Sequence, residues 1–390
     1  MASRRVYFAV FGSGLGHITR ALEVARRLRE DGTDLRFSSS GQGIGYLRAV
    51  GEESSSVECP GIDVEWSGGG FSSWHVLPRF PFMFNTFLRQ VAFEERSIAA
   101  FSPDVVVSDS RLSAVLAARS RGYPIVTMLN QFAIAFPPRF RSEVGKFYER
   151  VAGDGLGLMW GASDQVLMTD LPPPYTIGEA NLLVSDMARI VRFVGFTAPV
   201  LKPDPESVQK VRRTLELDSR PVVFCQVSGP DATKSKFVSA LKDAAPDLSA
   251  QFNLVISLGY TGGSVEPRKL AKGGWLFEWC PVKDELFSLA DLLVARAGHS
   301  TIGQCINAGK PAVLVPIYNH PEQIGNAMKF ANMGLGLAIK SEKLTKDNFV
   351  ESVESCLRNP RFGSNVREVQ RISAMYDGIE RCAEQIRSQT

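Results

Sequence analysis

Two residues at the ends of predicted strands could act together as an acid–base pair. The first is His17, in the run FGSGLGHITR (residues 11–20), where a glycine-rich turn brings the histidine to the start of a helix. The second is Asp109, the last residue of the β-branched run PDVVVSD (103–109). A carboxylate beside a histidine fixes its tautomer and stabilises the imidazolium that forms when the ring accepts a proton. The pattern therefore predicts His17 as a general base and Asp109 as the residue that orients it.

A dinucleotide site is a second interpretation of the same turn. That fingerprint requires G-x-G-x-x-G and an acidic residue about twenty positions later to bind a ribose. Gly12 and Gly14 fit, but His17 occupies the third glycine position, and the second predicted strand ends in the serines at 38–40. Both departures argue against a dinucleotide. A purely structural role for His17 as a helix-capping residue stays open.

The stretch RAGHSTIGQCINAGKPAVLVPIYNHPEQIGNA (296–327) combines two features of a nucleotide-sugar site. Its predicted helix begins at Ser300 and Thr301, and a helix N-terminus offers free amides and a positive dipole end to a diphosphate. The loop that follows carries Glu322 and Gln323, whose acceptors and donors suit sugar hydroxyl groups. A diphosphate at one end and a polyol at the other describe a nucleotide-sugar.

On these residues the chain resembles the GT-B glycosyltransferases, particularly the UDP-glycosyltransferase signature and the MurG-like lipid-intermediate N-acetylglucosaminyltransferases. That signature reads G-x-x-[ST]-x-x-E-x-x-x-x-G-x-P, followed by a proline-ended strand and an acidic/Gln-Gln pair. The matching positions are Gly298, Thr301, Gly309, Pro311, Pro316, Glu322 and Gln323, with Asn326 and Ala327 after them. The likeness covers nearly the whole chain.

The resemblance implies a role for each matching segment. The segment 277–298 is similar to one whose backbone contacts uracil, which would place Trp279 and Val282 near the base. The loop 227–234 is similar to the glycine loop beside the diphosphate, which implicates Ser228 and Gly229. The nucleotide and diphosphate set also includes Gly14, Gly298, His299, Ser300, Thr301 and Gln304, and the sugar set is His320, Glu322 and Gln323. His17 would be the base toward the acceptor, with Asp109 as its partner.

One position departs from the family pattern. Where the family has a Glu that binds the ribose hydroxyls, this chain has Gln304, and an amide lacks the charge-assisted strength of a carboxylate. Two histidines are further features of this chain: His299 could reach a phosphate and His320 a sugar substituent, or both could be ordinary polar loop residues.

A segment of the first half suggests the acceptor. Residues 72–96 and 131–151 interleave phenylalanines with basic residues, as suits an anionic membrane surface or a lipid-phosphate acceptor. The candidate acceptor or membrane residues are Trp74, Arg79, Phe82, Phe84 and Arg89. The helical spacing of Phe84, Phe87 and Val91 is equally consistent with domain core.

Strand and helix patterns alternate along the chain, which predicts a parallel sheet in each half. Strands are expected at 6–12, 35–41, 103–109 and 123–129, and again at 221–229, 252–259, 275–280, 292–298 and 311–317. Ile18, Ala21, Leu22, Ala25 and Leu28 fall at helical spacing between the first two. The fold class is therefore α/β, with two tandem Rossmann-like, doubly wound domains facing a cleft and C-terminal helices.

Proline-rich composition marks the boundary between the predicted domains. The first, acceptor-binding domain is expected at 1–196 and a linker at 197–206. The donor-binding domain follows at 207–362, and helices at 363–390 are expected to cross back to the first domain.

Composition narrows the function classes. The chain has 390 residues, a net charge of +3 and six scattered cysteines, which predicts free thiols and gives no basis for a nucleic-acid partner. No apolar run is long enough to span a bilayer, so we expect a cytoplasmic protein, with peripheral contact at the inner membrane face left open. Because the chain contains no Asp-x-Asp motif and the nucleotide-sugar is a substrate, no metal or other cofactor is expected.

Together these features predict a metal-independent, inverting glycosyltransferase that moves a sugar from a UDP-linked donor to a hydrophobic or lipid-linked hydroxyl. Two alternatives remain. A UDP-sugar 2-epimerase shares the architecture but needs no acceptor. A catalytically inactive nucleotide-sugar-binding partner protein would be consistent with Gln304.

Overall fold

The computed structural model describes residues 3–62, 66–67, 70–71, 80–131, 153–178, 189–198, 201–260, 262–270 and 273–389. These residues form two compact units, which are described separately below. Unit 1 comprises Met1–Glu65, Ser72–Ala198 and Tyr376–Thr390, and unit 2 comprises Trp66–Phe71 and Pro199–Met375.

Unit 1 is built on a seven-stranded sheet. Its strands are β1 (Arg5–Val10), β2 (Asp34–Ser39), β3 (Ser56–Glu58), β6 (Val105–Asp109), β7 (Ile125–Leu129), β8 (Gln165–Met168) and β9 (Val191–Phe193). Between β3 and β6 the chain forms a short hairpin of β4 (Trp66–Ser67) and β5 (Gly70–Phe71). The order in the sheet is β3-β2-β1-β6-β7-β8-β9, and every pair is parallel. The β4–β5 hairpin is antiparallel and belongs to unit 2.

Helices cover both faces of this sheet. They are α1 (Leu15–Arg29), α2 (Gly41–Ala49), α3 (Phe80–Phe101), α4 (Leu112–Ser120) and a helical segment at 153–160. The apolar positions predicted for α1 are buried and pack on β1, β2 and β6. A second core cluster joins α3 and α4 to the opposite face.

Unit 2 repeats the architecture. Its strands are β10 (Val222–Gln226), β11 (Asn253–Ser257), β12 (Arg268–Lys269), β13 (Trp275–Phe277), β14 (Leu292–Ala295), β15 (Ala312–Leu314) and β16 (Gly336–Ala338). The sheet order is β12-β13-β11-β10-β14-β15-β16, and the edge strand β12 alone pairs antiparallel.

The helices of unit 2 connect these strands. They are α5 (Pro205–Thr214), α6 (Ser235–Gln251), α7 (Lys283–Leu289), α8 (His299–Ala308), α9 (Pro321–Asn332), α10 (Lys346–Arg358) and α11 (Pro360–Ser373). The last helix, α12 (Gly378–Arg387), lies in unit 1, where Cys382, Ala383 and Ile386 pack with α1. All six cysteines are buried free thiols.

The structure confirms the predicted fold class of two Rossmann-like domains. Each predicted strand overlaps an observed one and is longer than it, and β1 and β2 begin one residue earlier than expected. The chain leaves unit 1 after Ala198 and returns at Tyr376, later than the position 363 expected from the sequence, because α11 packs against α8 in unit 2. In the described part of the chain, the helices are all too short or too polar to cross a membrane.

Candidate active site

The carboxyl edge of the first sheet holds the predicted acid–base pair. Strand β1 lies between β2 and β6, so the strand order reverses direction there. Doubly wound sheets bind ligands at such a point, beyond the carboxyl ends of the strands. His17 lies on the helix that follows β1, and Asp109 is the last residue of β6.

His17 and Asp109 are in direct contact. The Nδ1 atom of His17 lies 2.8 Å from Asp109 Oδ1, and the histidine side chain is 23% exposed whereas Asp109 is fully buried. Arg20, one turn further along α1, donates from Nε to Asp109 Oδ2 at 2.6 Å and from Nη2 to Oδ1. The three side chains therefore form one cluster with a buried carboxylate at its centre.

The charges in this cluster fix the tautomer of His17. Burial raises the pKa of the Asp109 carboxyl, but Arg20 and His17 outweigh burial, so that this pKa lies below its ordinary value. An ionised carboxylate only accepts hydrogen bonds, so its 2.8 Å contact requires a proton on His17 Nδ1, and Arg20 Nη2 also lies 3.1 Å from that nitrogen. In the neutral ring with this tautomer, the Nε2 atom carries the lone pair and can accept a proton.

Two glycines shape the turn that presents His17. Gly14 precedes α1 with φ 77° and ψ 161°, a conformation that favours glycine. A Cβ on Gly12 would lie 2.2 Å from the carbonyl oxygen of Ser40, so the turn packs against the loop after β2 only because position 12 has no side chain. The amide of Gly14 donates to Gln42 Oε1 at 3.0 Å.

In unit 2 the strand order reverses between β10 and β14. Ser228 and Gly229 follow β10, and Gly298 and His299 follow β14, so the structure brings these four predicted residues to one edge of the sheet. Gly229 has φ 100°, and a Cβ there would lie 3.0 Å from Cδ1 of Ile317. The loop can therefore approach a ligand with its backbone.

Helix α8 begins at His299, with Gly298 as its N-cap and no side-chain cap. The amides of a first helical turn have no acceptor within the helix, which leaves them available to an anion. Ser300 and Thr301 are half-buried in that turn, His299 is buried, and Gln304 is half-buried one turn later.

The next helix holds the predicted sugar-binding residues. His320 is the N-cap of α9, and its Nδ1 accepts a hydrogen bond from the amide of Gln323 at 3.4 Å. Burial lowers the pKa of His320, only partly opposed by the charge of Glu322, so the ring is neutral at neutral pH. Gln323 accepts from the amide of Ile317 at 3.0 Å, so its carbonyl oxygen holds the loop between β15 and α9.

Trp279 and Val282 lie after β13, at the same carboxyl edge of the second sheet. Trp279 is half-buried, and its amide donates to the carbonyl of Ser264 at 3.1 Å. Val282 is the N-cap of α7. Their predicted role beside a base stays a prediction.

Four buried cations were not singled out from the sequence: Arg20, Arg111, Lys234 and Arg296. Lys234 is 1% exposed, and its Nζ donates to the carbonyl of Gly259 at 2.7 Å and pairs with Asp231 at 2.8 Å. Arg296 donates to the carbonyl oxygens of Thr233 at 2.6 Å and Val315 at 3.1 Å. Each of these cations joins segments at the carboxyl edge of the sheet in its own unit. In the sequence, only their positions after a predicted strand or near a helix start could have indicated a role at the site.

The predicted acceptor residues fall partly in α3. Trp74 and Arg79 lie outside the described residues, as does most of the second patch at 131–151. Phe82 and Phe84 are 74% and 52% exposed, and Arg89 is also exposed. With Leu88, they give the first half of α3 an exposed apolar surface, while Val91 packs against the core as the alternative interpretation expected.

Comparison with known proteins identifies the class of enzyme. Residues 232–382 match the family model of the glycosyltransferase family 28 C-terminal domain, and residues 4–143 match that of glycosyl transferase family 1. An uncharacterized glycosyltransferase of Methanosarcina mazei is 23% identical over 385 residues, covering 96% of this chain and 95% of its own.

A second relative and a solved structure agree. The UDP-N-acetylglucosamine–N-acetylmuramyl-(pentapeptide) pyrophosphoryl-undecaprenol N-acetylglucosamine transferase of Lachnoclostridium phytofermentans is 22% identical, with 90% of each chain covered. The crystal structure of the glycotransferase of kitacinnamycin superposes with a TM-score of 0.69 at 17% identity, covering 100% of both chains. The chain is therefore a glycosyltransferase of the GT-B fold that resembles the MurG-like group.

Proposed function

We propose that this glycosyltransferase moves a sugar from a UDP-linked donor to the hydroxyl of a hydrophobic or lipid-linked acceptor, with inversion at the anomeric carbon and His17 as the general base. The observation that carries the proposal is the contact of His17 Nδ1 with the buried, ionised Asp109, because it orients the ring and makes Nε2 the proton acceptor of a neutral, partly exposed imidazole.

In the proposed step, His17 Nε2 accepts the proton of the acceptor hydroxyl as its oxygen bonds to the anomeric carbon. The bond between that carbon and the diphosphate oxygen breaks, and its electron pair leaves with the diphosphate. A single displacement of this kind inverts the anomeric centre. General base catalysis commonly contributes about 10²–10⁴-fold to the rate.

The leaving diphosphate requires a positive electrostatic environment. The first turn of α8 and the backbone around Gly229 can supply donors to the diphosphate. The proposed mechanism assigns no role to a metal. Gln304 would contact the ribose hydroxyls as a neutral amide.

A lipid-linked acceptor is supported by the exposed phenylalanines of α3 and by the undecaprenol named for the relative from Lachnoclostridium. Apolar side chains beside basic ones suit the interface of an anionic membrane. On this proposal the protein works at the inner face of the cytoplasmic membrane, in peripheral contact.

Calorimetric titration with UDP, GDP and dTDP tests the donor assignment. UDP is expected to bind most tightly, and Gln304→Glu is expected to tighten UDP binding because a carboxylate makes charge-assisted hydrogen bonds to a diol. Gln209→Glu adds the same charge on exposed helix α5 and should leave the affinity unchanged. Equal binding of the three nucleotides would reject the UDP assignment.

Incubation with a UDP-sugar, without and then with an acceptor, distinguishes sugar transfer from epimerisation. With a UDP-sugar alone, an epimerase would convert the donor into its epimer, whereas the proposed transferase leaves the sugar configuration intact until an acceptor is added. Retained anomeric configuration in the transfer product would reject the single displacement.

A further inference from the structure

Lys234 ends the segment 227–234, here called the diphosphate loop, and its side chain is buried. It is 1% exposed, although lysines are almost never fully buried unless they are paired. Its Nζ donates to the carbonyl oxygen of Gly259 at 2.7 Å, pairs with Asp231 at 2.8 Å and lies 4.6 Å from the centre of the Tyr260 ring. Three partners therefore hold one ammonium group at the carboxyl edge of the second sheet.

Both ends of the diphosphate loop pack against Gly259, in the connection that follows β11. Gly259 has φ 64°, and a Cβ there would lie 2.2 Å from the carbonyl oxygen of Val227, where the loop begins. Lys234, where the loop ends, donates to the carbonyl oxygen of the same glycine. The two ends are thus fixed to one residue, which restricts the conformations of the backbone between them.

The residue after Gly259 is bonded to the segment predicted to contact uracil. The amide of Tyr260 donates to the carbonyl oxygen of Glu278 at 2.9 Å, and Trp279, which is expected near the base, follows directly. Through Gly259, Lys234 therefore links the loop expected to bind the diphosphate to the segment expected to bind the base.

Stability alone does not explain a lysine at this position. Burying an ammonium group costs free energy, and replacing a buried ion pair with apolar side chains of similar volume is often neutral or stabilising. Asp231 is 71% exposed, so water weakens its attraction for Lys234. An apolar side chain could fill the same volume, but it could not supply a directional bond between the two connections. A ligand with a base at one end and a diphosphate at the other requires their spacing to be fixed.

Given the donor site of the proposed function, on which this inference rests, we propose that Lys234 is a positioning residue of that site. Its ammonium group holds the diphosphate loop in place relative to the segment that contacts the base. Lys234 does not bind the donor itself. It determines how much affinity the diphosphate adds to that of the nucleoside.

Calorimetric titration of the whole protein with UDP and with uridine, which lacks the diphosphate, tests this role. The uridine dissociation constant divided by that of UDP, here called the diphosphate ratio, measures the affinity that the diphosphate adds. We expect Lys234→Met to reduce this ratio by about tenfold, the scale of one hydrogen bond to a charged group, with uridine affinity unchanged. Lys234→Arg keeps a charged donor and should restore part of the ratio.

Two control variants separate positioning from general effects of charge and stability. Lys242→Met removes the same charge from an exposed position on α6 and should leave the diphosphate ratio unchanged. Val353→Ala removes apolar contacts from the core of unit 2 on α10, so it should lower the melting temperature without changing the ratio.

The Lys234→Met variant is expected to fold, because Arg296 still donates to the carbonyl oxygen of Thr233 in the diphosphate loop at 2.6 Å. Lys234→Gln keeps a neutral donor and gives the same comparison if Lys234→Met does not fold.

The outcomes distinguish the role of Lys234 from the donor site itself. Equal weakening of UDP and uridine by Lys234→Met, or weakening of neither, would overturn the positioning role and leave the donor assignment standing. An equal fall of the diphosphate ratio in Lys242→Met or Val353→Ala would also overturn that role, since charge or stability would then account for the effect. If the wild-type protein bound UDP no more tightly than uridine, the proposed donor site would be wrong, and the role of Lys234 with it.

Discussion

Replacement of Asp109 by Asn tests the cluster around His17 most severely. The substitution conserves shape but removes the charge that pairs with Arg20, whose side chain is 4% exposed. Arg20 would keep its hydrogen bond to the Thr169 hydroxyl, just after β8, at 3.2 Å, but that neutral group does not replace the lost charge. Breaking a buried ion pair by removing one partner costs about 3–5 kcal/mol. We therefore expect Asp109→Asn to lower the melting temperature of unit 1 by about 6–20 °C.

The same change should also alter the tautomer of His17. An Asn oxygen can accept from Arg20, but its amide nitrogen is a donor and would favour a His17 ring with Nδ1 unprotonated. The proton would then lie on Nε2, and the ring could not act as a base. The sugar-transfer rate per folded molecule should fall by about 10²–10⁴-fold.

Glu94→Gln is the matched control for this experiment. Glu94 is also fully buried, and it accepts from Arg111 at 2.6 Å, Tyr7 at 2.7 Å and Ser38 at 2.7 Å without touching His17. Thermal unfolding and turnover of both variants should show similar destabilisation but a loss of transfer only in Asp109→Asn. Equal losses of turnover per folded molecule, or a stable Asp109→Asn variant with full activity, would show that Asp109 does not act through His17.

Three further predictions concern unit 2 and the backbone. Because the folded state lowers the pKa of His320, its unfolded state binds more protons below about pH 6.5, so stability should decline as the pH falls from 7 to 5. His320→Asn keeps an N-cap acceptor and should weaken that decline in denaturant titrations; an unchanged profile would contradict the assignment. Gly229→Ala should weaken UDP binding in calorimetry, because the new Cβ meets a side chain at 3.0 Å in a positive-φ turn; wild-type affinity would exclude this loop from the donor site. Gly378→Ala places a Cβ 2.4 Å from the carbonyl oxygen of Phe196, so it should lower the free energy of unfolding by about 1–3 kcal/mol. Gly45→Ala lies in open space on α2 and should raise that free energy by up to about 1 kcal/mol. The opposite order of the two variants in chemical unfolding would contradict the packing described.

The strand and helix pattern was predictable because its signal is local. Buried parallel strands are continuous apolar runs, and the helical spacing from Ile18 to Leu28 marks one face of α1. The pairing of His17 with Asp109 was also predictable, because the carboxyl ends of parallel strands meet at one edge.

The cations that organise the site were not predictable, because their partners are distant in sequence. Arg20 lies among other charged residues of α1 and resembles a surface residue, yet it is buried and bonded to Asp109 at the end of β6 and to Thr169 just after β8. Arg296 binds three carbonyl groups from two separate segments, Thr233 and the adjacent pair Val315 and Pro316. Gln323 was expected to face the sugar, and its contact with the Ile317 amide depends on the turn after β15.

The most direct test of the central claim is transfer from radiolabelled UDP-sugars to a lipid extract by wild-type protein and His17→Gln. We predict that label enters the organic phase with the wild type, and that His17→Gln reduces the transfer rate by about 10²–10⁴-fold while binding UDP with unchanged affinity. His17→Gln transferring sugar as fast as the wild type would contradict the account.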